Sequence, residues 1–157
     1  MNPRGLSIGQ LLPHVGPMLL LDELLELRDD GLTASLVIRA DSLFCAEQQG
    51  VPAWVGMEYM AQAACAFSGL EEARAGVPIS ISLLLGTRAY RCREPLFPLG
   101  TRLLVDARML LRDDEDLAVF DCAIRDAADG RELAAGDIKA IRPRDLPGLL
   151  RRQHAAH

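Results

Sequence analysis

One stretch of the sequence constrains the fold more than any other: over residues 48–70 the only formally charged residue is Glu58. Residues 53–75 are rich in alanine and methionine, and Gly76 follows them, which is typical of the end of a helix. A helix that is apolar on nearly every face is buried all round. The sequence therefore predicts one long central helix that other elements must surround.

The segments around this helix alternate between apolar runs and turn signals, which is typical of an antiparallel sheet. Before it, a short helix over residues 8–12, capped by Ser7, precedes two strands that meet at a turn over residues 29–31. After it, four further strands are predicted, over residues 79–93, 101–112, 117–127 and 131–142. We therefore expect an α+β fold in which an antiparallel sheet of about five to six strands wraps the helix.

The length of the chain, 157 residues, is that of one domain, since soluble domains usually contain about 100–200 residues. We expect a core over about residues 8–142, and a tail over residues 143–157 that is frayed or a short helix. No apolar run reaches the roughly 18–20 residues that cross a bilayer, so no membrane span is expected. The N-terminus lacks the features of a secretory signal, which favours a cytoplasmic protein.

Charge and cysteine spacing exclude several classes of function. The formal net charge is −5 and the isoelectric point is near 5.2, which disfavours nucleic-acid binding because phosphate neutralisation needs a concentrated basic surface. The four cysteines lie far apart with no histidine nearby, so we expect small buried hydrophobes rather than a metal site. The sequence also lacks a phosphate-binding glycine motif and a G-x-S-x-G nucleophile elbow. No metal or cofactor is therefore expected.

Two residues are candidates for chemistry. Glu58 is a lone carboxylate in an apolar helix, so it must find a partner or hold its proton, and general-acid catalysis requires a protonated carboxyl. The alternative is a structural role, in which Glu58 bonds to Gln62 one helical turn further on. His14 is the only histidine before the last four residues and lies in a loop bounded by proline and glycine. A loop histidine is often structural, but His14 and Glu58 together would form an acid/base pair.

Two motifs, in this order, resemble those of the β-hydroxyacyl-ACP dehydratases. Residues 11–22 read LLPHVGPMLLLD, which is similar to the N-terminal signature of that family, and residues 57–63 read MEYMAQA, which is similar to its E-x-M-A-Q helix motif. Residues 84–100 resemble its third strand and the proline-glycine loop that follows. Residues 50–62, GVPAWVGMEYMAQ, are similar in particular to the ApeP-like branch associated with aryl polyene biosynthesis. The likeness extends over roughly residues 8–142.

The resemblance implies a hotdog fold, in which an antiparallel sheet wraps a long helix, with the active site at a dimer interface. It also implies removal of water from a 3-hydroxyacyl thioester on acyl carrier protein, giving a trans-2-enoyl thioester, in fatty-acid-like or aryl polyene lipid synthesis. Glu58 matches the family's catalytic glutamate. The family's catalytic histidine belongs to a G-H-F-P-G loop, whereas residues 44–50 here read FCAEQQG. Either His14 replaces that histidine, or a partner subunit supplies it, or the protein is catalytically weak.

The resemblance also suggests residues that bind the substrate. Backbone N–H groups near Val55 and Gly56 are candidates for stabilising the thioester oxyanion, because unpaired donors and the helix dipole point outward at a helix start. Gly56 would let a ligand approach the backbone closely. The other candidate substrate-binding residues are Trp54 and Gln62.

Partners are expected on two surfaces. Hotdog dehydratases dimerise, so the chain is expected to form a homodimer or a heterodimer with a related hotdog subunit. Acyl carrier protein is acidic, and Arg88, Arg91 and Arg93 form the best local basic cluster for docking it. They lie on one predicted strand, with Arg91 and Arg93 on one face and Arg88 on the other. The alternative is a solvated strand face.

Two further functions remain open besides dehydration. A hotdog acyl thioesterase would use Glu58 to activate water against the same thioester. A non-catalytic, acyl-binding subunit of a heterodimeric dehydratase is suggested by the absence of the loop histidine at residues 44–50.

Overall fold

The central helix predicted from the apolar stretch is present, in two parts. In the computed structural model, which describes residues 5–156, a 3-10 turn at Ala53–Val55 leads into α1 (Gly56–Ser68). After Gly69 the chain continues as α2 (Leu70–Ala75). A side chain at Gly69 would press on the carbonyl oxygen of Leu11, so the division between α1 and α2 coincides with a close approach of the N-terminal segment. As predicted, Gly76 ends the helix, with a left-handed φ of 69°.

The sheet is built from strands that precede and follow this helix. Within residues 5–156 the strands are β1 (Glu23–Arg28), β2 (Gly31–Val37), β3 (Gly50–Pro52), β4 (Leu83–Gly86), β5 (Arg91–Cys92), β6 (Leu96–Pro98), β7 (Arg102–Arg112), β8 (Leu117–Asp126) and β9 (Glu132–Ile141). They pair antiparallel in the order β1-β2-β7-β8-β9-β4, and β5 also pairs with β9. β3 and β6 form a separate two-stranded pair.

Helix α1 packs on the inner face of this sheet, against β2, β7, β8 and β9. Its side chains and those of the sheet form one core, in which the rings of Phe67 and Phe120 meet edge to face with centroids 6.2 Å apart. Burial of such large apolar side chains is the main favourable contribution to folding. The result is the hotdog architecture, and the α+β prediction is confirmed.

The predicted strand over residues 79–93 is interrupted. β4 and β5 are separated by a bend in which Ala89 has a left-handed φ of 51°. The backbone N–H of Arg88 donates to the side chain of Asp137 instead of a neighbouring strand, and the hydroxyl of Tyr90 donates to the carbonyl of Ala53. These side-chain bonds replace the regular ladder, so one predicted strand becomes two short ones.

Smaller differences concern the ends of the chain and the cysteines. Residues 16–18 form a 3-10 turn, and the first strand begins at Glu23. The tail forms α3 (Leu146–Ala155), whose first turn is capped by Asp145. The prediction that all four cysteines are buried is wrong, because Cys92 lies exposed on β5.

The first four residues of the N-terminal segment, for which no secretory signal is predicted, and His157 of the tail lie outside the described residues. Among the helices of residues 5–156, none has the length and the apolar composition needed to span a bilayer.

Candidate active site

The structure brings His14 and Glu58 together. His14 lies in the loop between two 3-10 turns (Ile8–Leu11 and Gly16–Met18), and Glu58 lies in the first turn of α1. Nε2 of His14 is 3.7 Å from Oε1 of Glu58, which is ion-pair distance but longer than a hydrogen bond. Their side chains are 26% and 40% exposed, so both groups are accessible from solvent. The two candidates, 44 positions apart in the chain, therefore lie side by side and partly exposed.

The two ring nitrogens of His14 have different surroundings. Nδ1 is buried and has no hydrogen-bond partner among the described residues, whereas Nε2 faces the carboxylate of Glu58. An inaccessible nitrogen cannot exchange a proton with a bound molecule. Nε2 is therefore the nitrogen through which His14 can act.

Gln62 lies behind Glu58 and is completely buried. Its Nε2 donates to Oε1 of Glu58 at 3.1 Å and to the carbonyl of Met18 at 2.8 Å. Its Oε1 accepts from the N–H of Leu20 at 3.0 Å. The predicted i,i+4 bond between Glu58 and Gln62 is thus present. Because Gln62 has no exposed surface, the structure does not bring it to the open side, where its expected contact with substrate would occur.

The start of the helix is packed more tightly than the sequence suggests. The N–H of Gly56 donates to the carbonyl of Ala53, and a side chain at this position would overlap the Tyr90 hydroxyl and crowd Ile124. The small size of Gly56 therefore allows this internal packing, and the close approach of a ligand there stays a prediction. Burial raises the pKa of the Tyr90 hydroxyl, which donates a hydrogen bond to the carbonyl of Ala53.

One side of the helix is uncovered, so the prediction of a helix buried all round is wrong there. Val55 is buried, but Trp54 is 57% exposed and its ring lies 5.4 Å from that of the exposed Phe44. Phe44 has a left-handed φ of 67°, an uncommon conformation for a bulky residue. We give the name apolar rim to four exposed side chains on the segments that carry His14 and lead into the helix, and on the loop that packs against Trp54; they are Val15, Met18, Phe44 and Trp54.

The three predicted docking arginines are exposed but do not share one strand. Arg88 lies in the bend after β4, Arg91 lies in β5, and Arg93 follows it. Within the described part of the chain, none of their guanidinium groups forms an ion pair. Because Tyr90 bonds to the carbonyl of Ala53, this segment lies beside the start of the helix.

A cavity of about 380 Å³ is lined by Tyr59, the residue after Glu58, by Leu20 of the N-terminal segment, and by Arg39. Neither His14 nor Glu58 lines it. Across residues 5–156, no group of three or more histidine, cysteine, aspartate or glutamate side chains is arranged to hold a metal ion.

A similar solved structure is known over nearly the full length of the chain. It is a chain of the dehydratase heterocomplex ApeI:P from Xenorhabdus doucetiae, which is 29% identical, with a TM-score of 0.85. The match covers 94% of this chain and 99% of that one. No curated protein sequence matches the chain.

Two more distant structures share only the fold. A hypothetical thioesterase with coenzyme A from Streptococcus pneumoniae TIGR4 is 12% identical, with a TM-score of 0.58, and the match covers 76% of this chain and 83% of that one. The PaaI protein from the phenylacetic acid degradation operon of E. coli is 14% identical, with a TM-score of 0.56, and the match covers 76% and 81%.

The family match agrees with the motifs and the site. A family model described as ApeP dehydratase matches residues 6–151, which include His14, Glu58 and every strand of the sheet. The chain therefore belongs to the ApeP-like family of dehydratases.

Proposed function

We propose that the chain is a dehydratase subunit that removes water from a 3-hydroxyacyl thioester on acyl carrier protein and gives the trans-2-enoyl thioester. The observation that carries the proposal is the approach of His14 Nε2 to Glu58 Oε1, 3.7 Å apart, with both side chains accessible. An accessible base beside an accessible carboxyl is what a cofactor-free elimination requires. Family membership supports dehydration, and the carrier-bound substrate and the residue roles are our proposal.

In the proposed reaction, Nε2 of His14 takes a proton from C2 of the substrate, which the neighbouring thioester carbonyl makes acidic. The electron pair of the C2–H bond forms the double bond to C3, and the bond between C3 and its oxygen breaks. Glu58 donates its proton to the departing hydroxyl, which leaves as water. His14 then carries an additional proton and Glu58 a negative charge. Loss of the additional proton from His14 to solvent and uptake of a proton from solvent by Glu58 restore both groups, since both side chains are exposed.

Stabilisation of the thioester oxygen is proposed for the start of the helix. The first N–H groups of a helix lack partners within the helix and point outward, where they stabilise developing negative charge. Of the two expected donors, the N–H of Gly56 is bonded to Ala53, so we propose the N–H of Val55. Trp54, exposed one turn before Glu58, is the candidate contact for the acyl chain.

A second hotdog subunit is proposed to cover the site. The apolar rim is exposed, and edge strand β4 presents Leu84 and Leu85, which are 46% and 52% exposed. Exposed apolar surface beside an open strand edge is typical of an interface. The ApeI:P structure is a heterocomplex, which favours a heterodimer, and a homodimer is the alternative. Light scattering of the chain, alone and mixed with a related hotdog subunit, distinguishes the two.

Carrier-protein docking is proposed for Arg88, Arg91 and Arg93. They are exposed, carry no described ion pair and belong to the segment that Tyr90 attaches beside the helix start. Free guanidinium groups near a site opening attract an acidic partner. A cytoplasmic location, where such a carrier would be met, stays a prediction.

The proposal is tested by mass spectrometry of a 3-hydroxyacyl carrier protein after incubation with the chain, alone and with a related hotdog subunit. We expect loss of one water, abolished by Glu58→Gln in this chain. Release of the free acid would instead make the protein a thioesterase. Water loss that needs the partner and survives Glu58→Gln and His14→Ala in this chain would make it a non-catalytic subunit.

A further inference from the structure

We infer that Gln62 is a positioning residue that holds the carboxylate of Glu58 and the loop carrying His14 in one arrangement. This inference rests on the proposed function, which assigns the chemistry to Glu58 and His14. It assigns Gln62 no contact with substrate, in contrast to its expected role as a substrate-binding residue.

The side-chain amide of Gln62 fits in one orientation. Its NH₂ group donates both protons, to Met18 and to Glu58, and its carbonyl oxygen accepts from Leu20. Rotating the amide by half a turn would place its oxygen against two acceptors and its NH₂ group against a donor. A buried amide with unpaired groups costs free energy, so the observed orientation is strongly preferred. Gln62 therefore fixes the direction from which Glu58 receives its hydrogen bond.

The same amide connects two segments that are distant in sequence. Gln62 and Glu58 lie on α1, whereas Met18 and Leu20 follow His14 in the N-terminal segment. Two hydrogen bonds therefore attach this segment to the helix, and the third aligns the carboxylate. His14 approaches the very oxygen that Gln62 contacts, Oε1. One fully buried side chain thus determines the relative position of the base and the acid.

This arrangement distinguishes the two oxygens of Glu58. Oε1 accepts from Gln62, and Oε2 has no hydrogen bond to any residue within 5–156. Oε2 is therefore the oxygen available to donate a proton to the leaving hydroxyl. The bond from Gln62 also stabilises the carboxylate that remains after the proton has left. Removal of Gln62 should consequently slow the chemical step more than it weakens substrate binding.

The test compares Gln62→Met with Thr33→Val. Methionine keeps the length of the side chain but provides no amide, so all three bonds are lost. The hydroxyl of Thr33, buried in β2, donates to Asp106 at 2.6 Å and accepts from Arg28 at 2.8 Å, so its substitution removes two hydrogen bonds that share no partner with the site. We expect Gln62→Met to lower kcat about 10–100-fold with KM within about threefold, because misplacement of catalytic groups by about 1 Å costs on that order. Thr33→Val should leave kcat within about twofold.

A second readout does not depend on turnover. In a ¹H–¹⁵N spectrum of the histidine rings, Gln62→Met should move the His14 signals, and Thr33→Val should leave them in place. If Gln62→Met does not fold, Gln62→Asn, which keeps an amide on a shorter side chain, is judged by the same two readouts. A kcat loss equal to that of Thr33→Val, or unmoved His14 signals, would overturn the inference. If the wild-type chain dehydrates no substrate, alone or with a related hotdog subunit, the proposed function fails and the ring signals alone decide the role of Gln62.

Discussion

Two carboxylates on the central helical segment, Glu58 and Glu72, have opposite surroundings. Glu72, on α2, accepts two hydrogen bonds from Ser80, one from the hydroxyl at 2.5 Å and one from the backbone N–H at 2.9 Å. Arg142 lies 3.4 Å from it. Burial by itself would raise the pKa of Glu72, but these bonds and the charge of Arg142 outweigh burial and lower it. The carboxylate of Glu72 is thus charged, and both of its oxygens have hydrogen-bond partners.

Glu58 has fewer hydrogen-bond partners than Glu72. It accepts one hydrogen bond, from Gln62, and His14 stands 3.7 Å away without bonding to it. Its side chain is 40% exposed, against 19% for Glu72. A carboxylate whose oxygens are both hydrogen-bonded contributes to the stability of the fold. A carboxylate with one free oxygen and a nearby base can exchange a proton.

The largest expected effect is on the dehydration rate, which should depend on Glu58 and not on Glu72. Glu58→Gln keeps the shape of the side chain but has no proton to donate, so the dehydration rate should fall about 10²–10⁴-fold. Glu72→Gln should leave the rate within about threefold. Rates of enoyl formation from a 3-hydroxyacyl carrier protein measure both. Equal losses of rate in the two variants would contradict a catalytic role that belongs to Glu58 alone.

The second effect concerns the proposed base. His14→Gln should lower the rate about 10²-fold, because proton removal from C2 loses its acceptor while the loop stays attached through Met18 and Leu20. His154→Gln, on the exposed face of α3, is the matched control and should change nothing. Steady-state kinetics and the far-ultraviolet circular dichroism spectrum give the comparison. A His14→Gln enzyme with wild-type activity would show that the base is elsewhere.

The third effect is on the free energy of unfolding, which should fall more when Glu72 is replaced than when Glu58 is replaced. Glu72→Gln should lower the free energy of unfolding by about 1–2 kcal/mol, because the charged hydrogen bonds from Ser80 and the ion pair with Arg142 are lost. Glu58→Gln should change it by less than about 0.5 kcal/mol, as is usual for a partly exposed site. Urea unfolding measures both. A greater loss in Glu58→Gln would mean that Glu58 is structural.

The smallest effect is the pH dependence of the bond between Ser80 and Glu72. Because the pKa of Glu72 is lowered below 4.5 in the folded protein, its contribution is present above that value and is lost as the pH falls through the folded pKa. Ser80→Ala should therefore cost about 1 kcal/mol at neutral pH and less in acid.

Urea unfolding of wild type and Ser80→Ala across this pH range measures the difference. Ser42→Ala removes a bond from the N–H of Arg39 that involves no carboxylate, so its cost should not vary with pH through Glu72. A Ser80→Ala cost that stays constant into acid would contradict the assignment.

The fold could be predicted where local patterns determine it. The apolar stretch over residues 48–70 predicts the central helix, and the turn over residues 29–31 predicts the first hairpin, because both depend on neighbouring residues. The division of residues 79–93 into β4 and β5 could not be predicted. It depends on Tyr90 and Arg88 bonding to residues far away in the sequence.

The site could be predicted in part for the same reason. Glu58 stands out as the one charge over residues 48–70, and the motif that contains His14 points to the same chemistry. The contact of Gln62 with Glu58 follows from i,i+4 spacing, but its bonds to Met18 and Leu20 are tertiary and leave no local signal. The close packing of Tyr90 on Gly56 is hidden from the sequence in the same way.

The most direct test of the central claim is a structure of the chain, with its partner subunit if one is required, bound to a stable 3-hydroxyacyl-pantetheine analogue. We expect the 3-hydroxyl to lie within about 2.6–3.2 Å of Glu58 Oε2, and C2 to face Nε2 of His14. An analogue bound in the cavity beside Tyr59 and Arg39, with no contact to Glu58, would contradict it.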